Sequence, residues 1–231
     1  MRTAIVDEQP ALAQRTVVIP LPVDLGAFAG NGRSDASEKR TLLYVGRVHP
    51  EKGIELLLRA FALVARRFPD WRMKIVGPVA EADGGGGGRF GQSLRESARG
   101  LDVEFAGPVF DIAKLATEFR EADLFCYPSL ADRGEAFGLA PLEAMAAGMP
   151  PIVSALECFR DFVCHGENGW VFDHRAGNPE TRLADVLALA MSDSGALIRM
   201  GERARLDAGR FTFPAVAQQY LDEFSRILAT R

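Results

Sequence analysis

Strand-sized apolar runs closed by glycine, alternating with helix-length amphipathic stretches, recur along the chain from residue 41 to residue 153, and few folds accommodate that rhythm. Thr41-Leu-Leu-Tyr-Val45 reads as a buried strand ending at Gly46. Residues 54–68 read as a helix, because Ile54, Leu57, Leu58, Phe61 and Val64 are spaced by threes and fours and form one stripe. Met73-Lys-Ile-Val76 is the next strand, followed by Gly77-Pro78, and Val103-Glu-Phe105 is a short one before Gly107-Pro108. Residues 112–121 are predicted helical, 123–127 a strand, 139–147 a helix and 151–153 a strand. Three helices, about 180–191, 195–209 and 213–229, complete the pattern. The fold class that follows is α/β: a doubly wound, Rossmann-like parallel sheet with helices on both faces. Ligands of such sheets bind beyond the carboxyl ends of the strands. The segments of interest are therefore residues 46–53, the stretch from Gly77 onward, residues 107–111 and residues 128–138.

Residues 1–40 form a lead-in. Thr16-Val-Val-Ile-Pro20 is a strand candidate, and the small, polar and charged residues 30–40 read as a linker. The domain proper is then 41–231. A net charge of −4 argues against a nucleic-acid binder, which needs a broad basic face. Cys126, Cys158 and Cys164 have no metal spacing and read as buried or incidental thiols of a reducing compartment. No apolar run reaches membrane-spanning length, and residues 1–10 carry Asp7 and Glu8 in place of a signal core. The expectation is a cytoplasmic protein, with room for a peripheral contact at the inner face of the membrane.

Two segments carry the chemistry. In Gly46-Arg-Val-His-Pro-Glu-Lys-Gly53, Gly46 lets backbone approach a ligand, and Arg47 and Lys52 lie beside a helix N-terminus with its unpaired amides. Two cations and that dipole suit a diphosphate; spacing alone equally allows two solvated surface charges. In Gly134-Glu-Ala-Phe-Gly-Leu-Ala-Pro-Leu-Glu-Ala-Met-Ala-Ala-Gly148, Pro141 suits the first turn of a helix, and Gly148 and Pro150 end it. The amides of Phe137, Gly138 and Leu139 would point out at the sheet edge. Glu135 and Glu143 could grip hydroxyl groups by charge-assisted hydrogen bonds, as sugars require. The plainer alternative is a surface glutamate and a helix-capping glutamate.

Glu135 and Glu143 have seven residues between them, and their surroundings resemble the Glu-x7-Glu signature of the retaining, GT-B-fold, family 4 type of glycosyltransferase. Gly46-Arg-x4-Lys-Gly53 resembles that family's diphosphate loop. Ile75-Val-Gly-Pro78, Val103-Glu-Phe-Ala-Gly107, Ala122-Asp-Leu-Phe-Cys-Tyr-Pro-Ser129 and Gly166-Glu-Asn-Gly-Trp170 follow in the family's order. Ile19-Pro-Leu-Pro-Val-Asp24 with Phe28 resembles the entry to its C-terminal, nucleotide-sugar-binding domain, and the likeness extends over residues 16–230.

The resemblance implies a candidate catalytic set of Glu135, Arg47 and Lys52. Arg47 and Lys52 would bind the donor diphosphate, Glu135 the transferred sugar and Glu143 the ribose. Gly46, Gly77 and the amides of Phe137, Gly138 and Leu139 would complete the donor site, with residues 107–110, Val109 and Phe110 among them, beside the base. A nucleoside-diphosphate sugar would be the substrate, and no metal or other cofactor would be required. The chain departs from the pattern at Leu21-Pro22, where Asn-Gly is usual, and at Ser154-Ala-Leu-Glu-Cys-Phe159, where the family is glycine-rich before a glutamate. It also has no room in 40 residues for the acceptor-binding N-terminal domain, which is expected to be missing or on a separate chain.

The five glycines at 84–88, with Gly91, match G-x-G-x-x-G formally; they are read as a mobile loop near the donor site, since they start well past the preceding strand. His49 either reaches the ligand or is an exposed loop residue, and His165 and His174 have no zinc pattern. The stripe Val216, Tyr220, Leu221, Phe224 and Leu228 of the last helix is expected to pack on its own domain, with a crossing to a partner domain as the alternative. Three functional readings remain open: transfer of a sugar with retention, a donor-binding module or subunit inactive alone, and an epimerase or phosphorylase-like relative.

Overall fold

The computed structural model describes residues 8–13, 15–28, 39–131 and 134–229. The linker reading of residues 30–40 therefore falls almost wholly outside the described residues. Six strands form one parallel sheet: β1 (Arg40–Val45), β2 (Trp71–Val76), β3 (Val103–Gly107), β4 (Leu124–Tyr127), β5 (Pro151–Ser154) and β6 (Trp170–Phe172), in the order β3-β2-β1-β4-β5-β6. The inner strands β4 and β5 are buried at every position, which is why they read as continuous apolar runs, whereas edge strand β3 alternates with more exposed residues.

The helices are α1 (Leu25–Phe28), α2 (Ile54–Val64), α3 (Gly87–Ser97), α4 (Ile112–Arg120), α5 (Leu139–Ala146), α6 (Pro179–Ser192), α7 (Ser194–Ala208) and α8 (Phe213–Ala229). They pack in two groups over the sheet: α2 meets α3 and α6, while α5 meets α1 and α7, and α1 meets α4. Among the described residues, no helix is long and apolar enough to cross a membrane.

Strand order reverses on either side of β1: β2 and β3 lie one way, β4, β5 and β6 the other. At such a switch point the chain leaves β1 and β4 toward opposite edges of the sheet, which opens a crevice at their carboxyl ends. Those loops are the two chemistry-bearing segments of the sequence.

Three expectations need correction. Residues 16–20 form no strand; Val17 and Val18 are exposed, and the first pairing of the segment is the bridge from Val23 to Thr212. A β-branched run becomes a strand only where a neighbour supplies its hydrogen bonds. The glycine run is not simply a loop: its last two residues open α3, and Gly86 donates its amide to the Val48 carbonyl at 2.8 Å. Its glycines are there for close packing, since a Cβ on Gly86 would lie 2.7 Å from the Phe90 ring and 2.9 Å from Pro50. The helix α3 was hidden by its glycine content and β6 by its shortness. The stripe of α8 does not pack on this domain: Val216 is buried, but Tyr220, Leu221, Phe224 and Leu228 are exposed. The lead-in, by contrast, contributes to the core through Val23 and Phe28, the latter edge-on to Phe119 at 5.4 Å.

Candidate active site at the switch point

The loop after β1 is built by a short turn of helix, Pro50–Lys52, capped by the His49 side chain, which accepts from the Glu51 amide at 3.4 Å. Gly53 then turns the chain into α2 with φ of 71°, and a Cβ there would lie 2.1 Å from the Pro128 carbonyl. Glycine is thus what allows the β1 and β4 loops to touch. A bond from the Leu130 amide to the Glu51 carbonyl, 2.7 Å, fastens them. Tyr44, at the end of β1, holds the Arg47 carbonyl through its hydroxyl at 2.9 Å.

Lys52 and Glu135 meet across this junction. Nζ of Lys52 donates to Oε2 of Glu135 at 2.7 Å, and the two side chains are only 6% and 8% exposed. The same carboxylate oxygen accepts from Ser129 Oγ at 2.9 Å and from the Tyr127 hydroxyl at 3.2 Å. Lys52 Nζ also lies 5.7 Å from the centre of the Tyr127 ring. Burial, and then the Glu135 charge, hold the Tyr127 phenol far above its ordinary range, so it remains a donor to Glu135. Ser154, at the end of β5, donates to the Ser129 carbonyl at 2.5 Å and ties this cluster to the third neighbouring strand.

Arg47 stands at the mouth. Its guanidinium donates to the Gly84 carbonyl at 3.0 Å and to Glu51 Oε1 at 2.7 Å. Glu51 thus lies between the two cations, 3.7 Å from Lys52 Nζ.

On the β4 side, Gly138 caps α5 with φ of 81° and no side-chain bond to the first turn. A Cβ at Gly138 would meet the Phe159 ring at 2.3 Å. Phe137 is buried against Phe162 and Phe211, which leaves its backbone rather than its ring for the crevice, while Leu139 is partly exposed. Glu143 lies on α5, half-buried, and has no hydrogen-bond donor among the described residues; desolvation raises its carboxyl from 4.5 to about 7.

The structure thus joins Arg47, Lys52 and Glu135 in one connected network, with Gly46 at the root of the same loop. Gly77 is buried against the Gly46 carbonyl, where a Cβ would come within 1.8 Å, so its role is close packing of two loops. Val109 is half-buried and Phe110 is 78% exposed, beyond edge strand β3 and apart from that network. His49 serves as a cap, and His165 bonds the Val171 backbone at 3.0 Å. Glu51, Tyr127, Ser129 and Ser154 were not singled out from sequence. The signal for Tyr127 and Ser129 was a pair of polar residues at the end of an apolar strand, and for Glu51 an acid between two cations. Among the described residues no group of three or more His, Cys, Asp or Glu could hold a metal ion. A cavity of about 670 Å³ lined by Arg40, Asp70, Arg120 and Asp123 opens at the amino ends of β1, β2 and β4, away from the crevice and opposite the edge at which ligands of parallel sheets sit.

The chain is 38% identical over 167 residues to the phosphatidyl-myo-inositol mannosyltransferase of Mycolicibacterium smegmatis, covering 70% of this chain and 40% of that protein. It is 31% identical over 247 residues to the D-inositol 3-phosphate glycosyltransferase of Kineococcus radiotolerans, covering 100% of this chain and 56% of that one. It therefore spans about half the length of the relatives it matches. Among solved structures, Anabaena HepE in complex with UDP and glucose shares the fold at a TM-score of 0.78 and 21% identity, over 97% of this chain and 60% of that one. Residues 32–207 match the family described as glycosyl transferases group 1, and the chain belongs to that family.

Proposed function

We propose that this chain is the donor-binding half of a retaining glycosyltransferase, which transfers a sugar from a nucleoside-diphosphate sugar to an acceptor held by another domain. The observation that carries this reading is the buried Lys52–Glu135 contact at the switch point, which puts a cation for phosphate beside a carboxylate for hydroxyls. Arg47 and Lys52 would meet the charge of the leaving diphosphate, together with the uncapped amides of Phe137, Gly138 and Leu139. With one oxygen of Glu135 held by three donors, the other is left to accept from a sugar hydroxyl. Glu143 would take the ribose, and residues 107–110 the base. Two side-chain cations and a helix end supply the positive charge that a divalent metal would otherwise bring.

The acceptor domain is part of the same reading. Tyr220, Leu221, Phe224 and Leu228 present an exposed apolar stripe on α8, as a helix does when it lies on a second domain.

The test is a thermal-shift series with ADP, GDP and UDP and their hexose conjugates. At least one should raise the melting temperature by mass action, and Arg47→Ala with Lys52→Ala should abolish the shift. Equal shifts in the parent chain and the double variant would remove the phosphate site from Arg47 and Lys52.

A further inference from the structure

We propose that Glu51 is an internal counter-anion of the phosphate loop: it occupies Arg47 and Lys52 in the empty site, a donor diphosphate must displace it, and it thereby sets donor affinity. The inference rests on the donor-site reading above and adds a residue to it.

Oε1 of Glu51 lies 2.7 Å from the Arg47 guanidinium, 3.7 Å from Lys52 Nζ and 3.8 Å from His49 Nδ1. The backbone of Glu51 is fixed at both ends, its amide to His49 and its carbonyl to the Leu130 amide, so the carboxylate is delivered to this place by the loop itself. Its side chain is 35% exposed, which leaves a way out to solvent. Glu135 engages Lys52 from the other side, so two cations face two carboxylates before any ligand arrives. A diphosphate seeking the same two cations meets Glu51 both as a competitor for their N–H donors and as a like charge at close range. Glu135 is held by Tyr127 and Ser129 and stays, whereas Glu51 has, among the described residues, no such side-chain donors besides the cations themselves and can swing away.

Neutralising Glu51 should therefore strengthen diphosphate binding. If Glu51 instead served mainly to orient Arg47, its loss would weaken binding. Isothermal titration of the full chain with ADP, GDP and UDP, at low and at high salt, separates the two. With the nucleotide that the parent chain prefers, Glu51→Gln should bind about fivefold more tightly at low salt, the scale of one partly exposed ion pair. The gain should shrink at high salt. Glu51→Ala should move the same way, and Glu55→Gln, an exposed carboxylate in the first turn of α2, should leave affinity unchanged. Binding by Glu51→Gln that is equal to or weaker than the parent, or a gain no larger than that of Glu55→Gln, overturns the proposal. A parent chain that binds none of the three nucleotides overturns the donor-site reading itself, before any variant is compared.

Discussion

Lys52 and Glu135 are 83 residues apart in sequence and 2.7 Å apart in space, and both are almost wholly buried. Neither lies on a regular strand or a long helix. Each is brought in by the loop that leaves a central strand, and the two loops meet because β1 and β4 are neighbours in the sheet and Gly53 lets the backbones touch. A buried ion pair is a costly way to stabilise a fold, since desolvation consumes much of what attraction supplies. Its placement at the ligand edge of the sheet is easier to explain as preparation for a ligand.

That pairing has a consequence for stability. Lys52→Met leaves Glu135 buried with only the hydroxyls of Tyr127 and Ser129, and should cost about 2–4 kcal/mol in urea unfolding. Adding Glu135→Gln should recover part of the loss, because the amide keeps both hydroxyl partners without a charge. A strictly additive double variant would show that the two side chains do not interact.

Arg47 should behave differently. Its ion pair with Glu51 is partly exposed, so Arg47→Ala should change unfolding free energy by no more than about 1 kcal/mol. It should nevertheless weaken binding of the preferred nucleoside diphosphate by about tenfold or more, in the range of a lost charge-assisted hydrogen bond. Calorimetry and unfolding on the same preparation check both halves.

Glu143 makes stability depend on pH. Burial raises its carboxyl from 4.5 to about 7 in the folded chain. Below the lower value the group is protonated in both states. As pH rises through the window, the unfolded chain releases the proton first, so folding loses stability up to about pH 7 and no further. The contribution is about 3 kcal/mol across the window, taking about 1.4 kcal/mol per pH unit. Glu143→Gln should abolish this component, so its advantage over the parent should grow between pH 5 and pH 7 and then level off. A constant difference at every pH would place the Glu143 carboxyl in solvent.

The α8 face yields a prediction about this chain alone. Replacing Tyr220, Phe224 and Leu228 together by glutamine should cost little stability, within about 0.5 kcal/mol per site, because those side chains are exposed. Val216→Ala, at the one buried position, should cost about 1–2 kcal/mol. A large loss from the triple change would mean that the stripe is covered within the chain.

Much of the fold was legible because its signals are local. Helix α2 follows from threes-and-fours spacing, α5 from Pro141 and Gly148 at its ends and α8 from its apolar stripe, and the buried strands follow from short apolar runs with glycine after them. What escaped was set by distant contacts. Phe90 and Leu94 lie in a helix whose glycines fit under Val79 and beside Pro50, and composition alone suggests a loop there. Residues 16–20 have strand-forming side chains but pair with no strand among the described residues. In the site, Arg47, Lys52 and Glu135 stand out as charged residues at strand ends. Tyr127, Ser129 and Ser154 act through bonds across three strands, and no sequence spacing encodes those.

The central claim is that the crevice between the β1 and β4 loops receives a diphosphate, and a crystal structure of the chain with its preferred nucleoside diphosphate tests it most directly. The account predicts phosphate oxygens within hydrogen-bond distance of Arg47 and Lys52, and the Glu51 carboxylate swung out of its present contact with Arg47. A nucleotide seated elsewhere, such as the cavity beside Arg40 and Arg120, with the Arg47–Glu51 pair undisturbed, would contradict it.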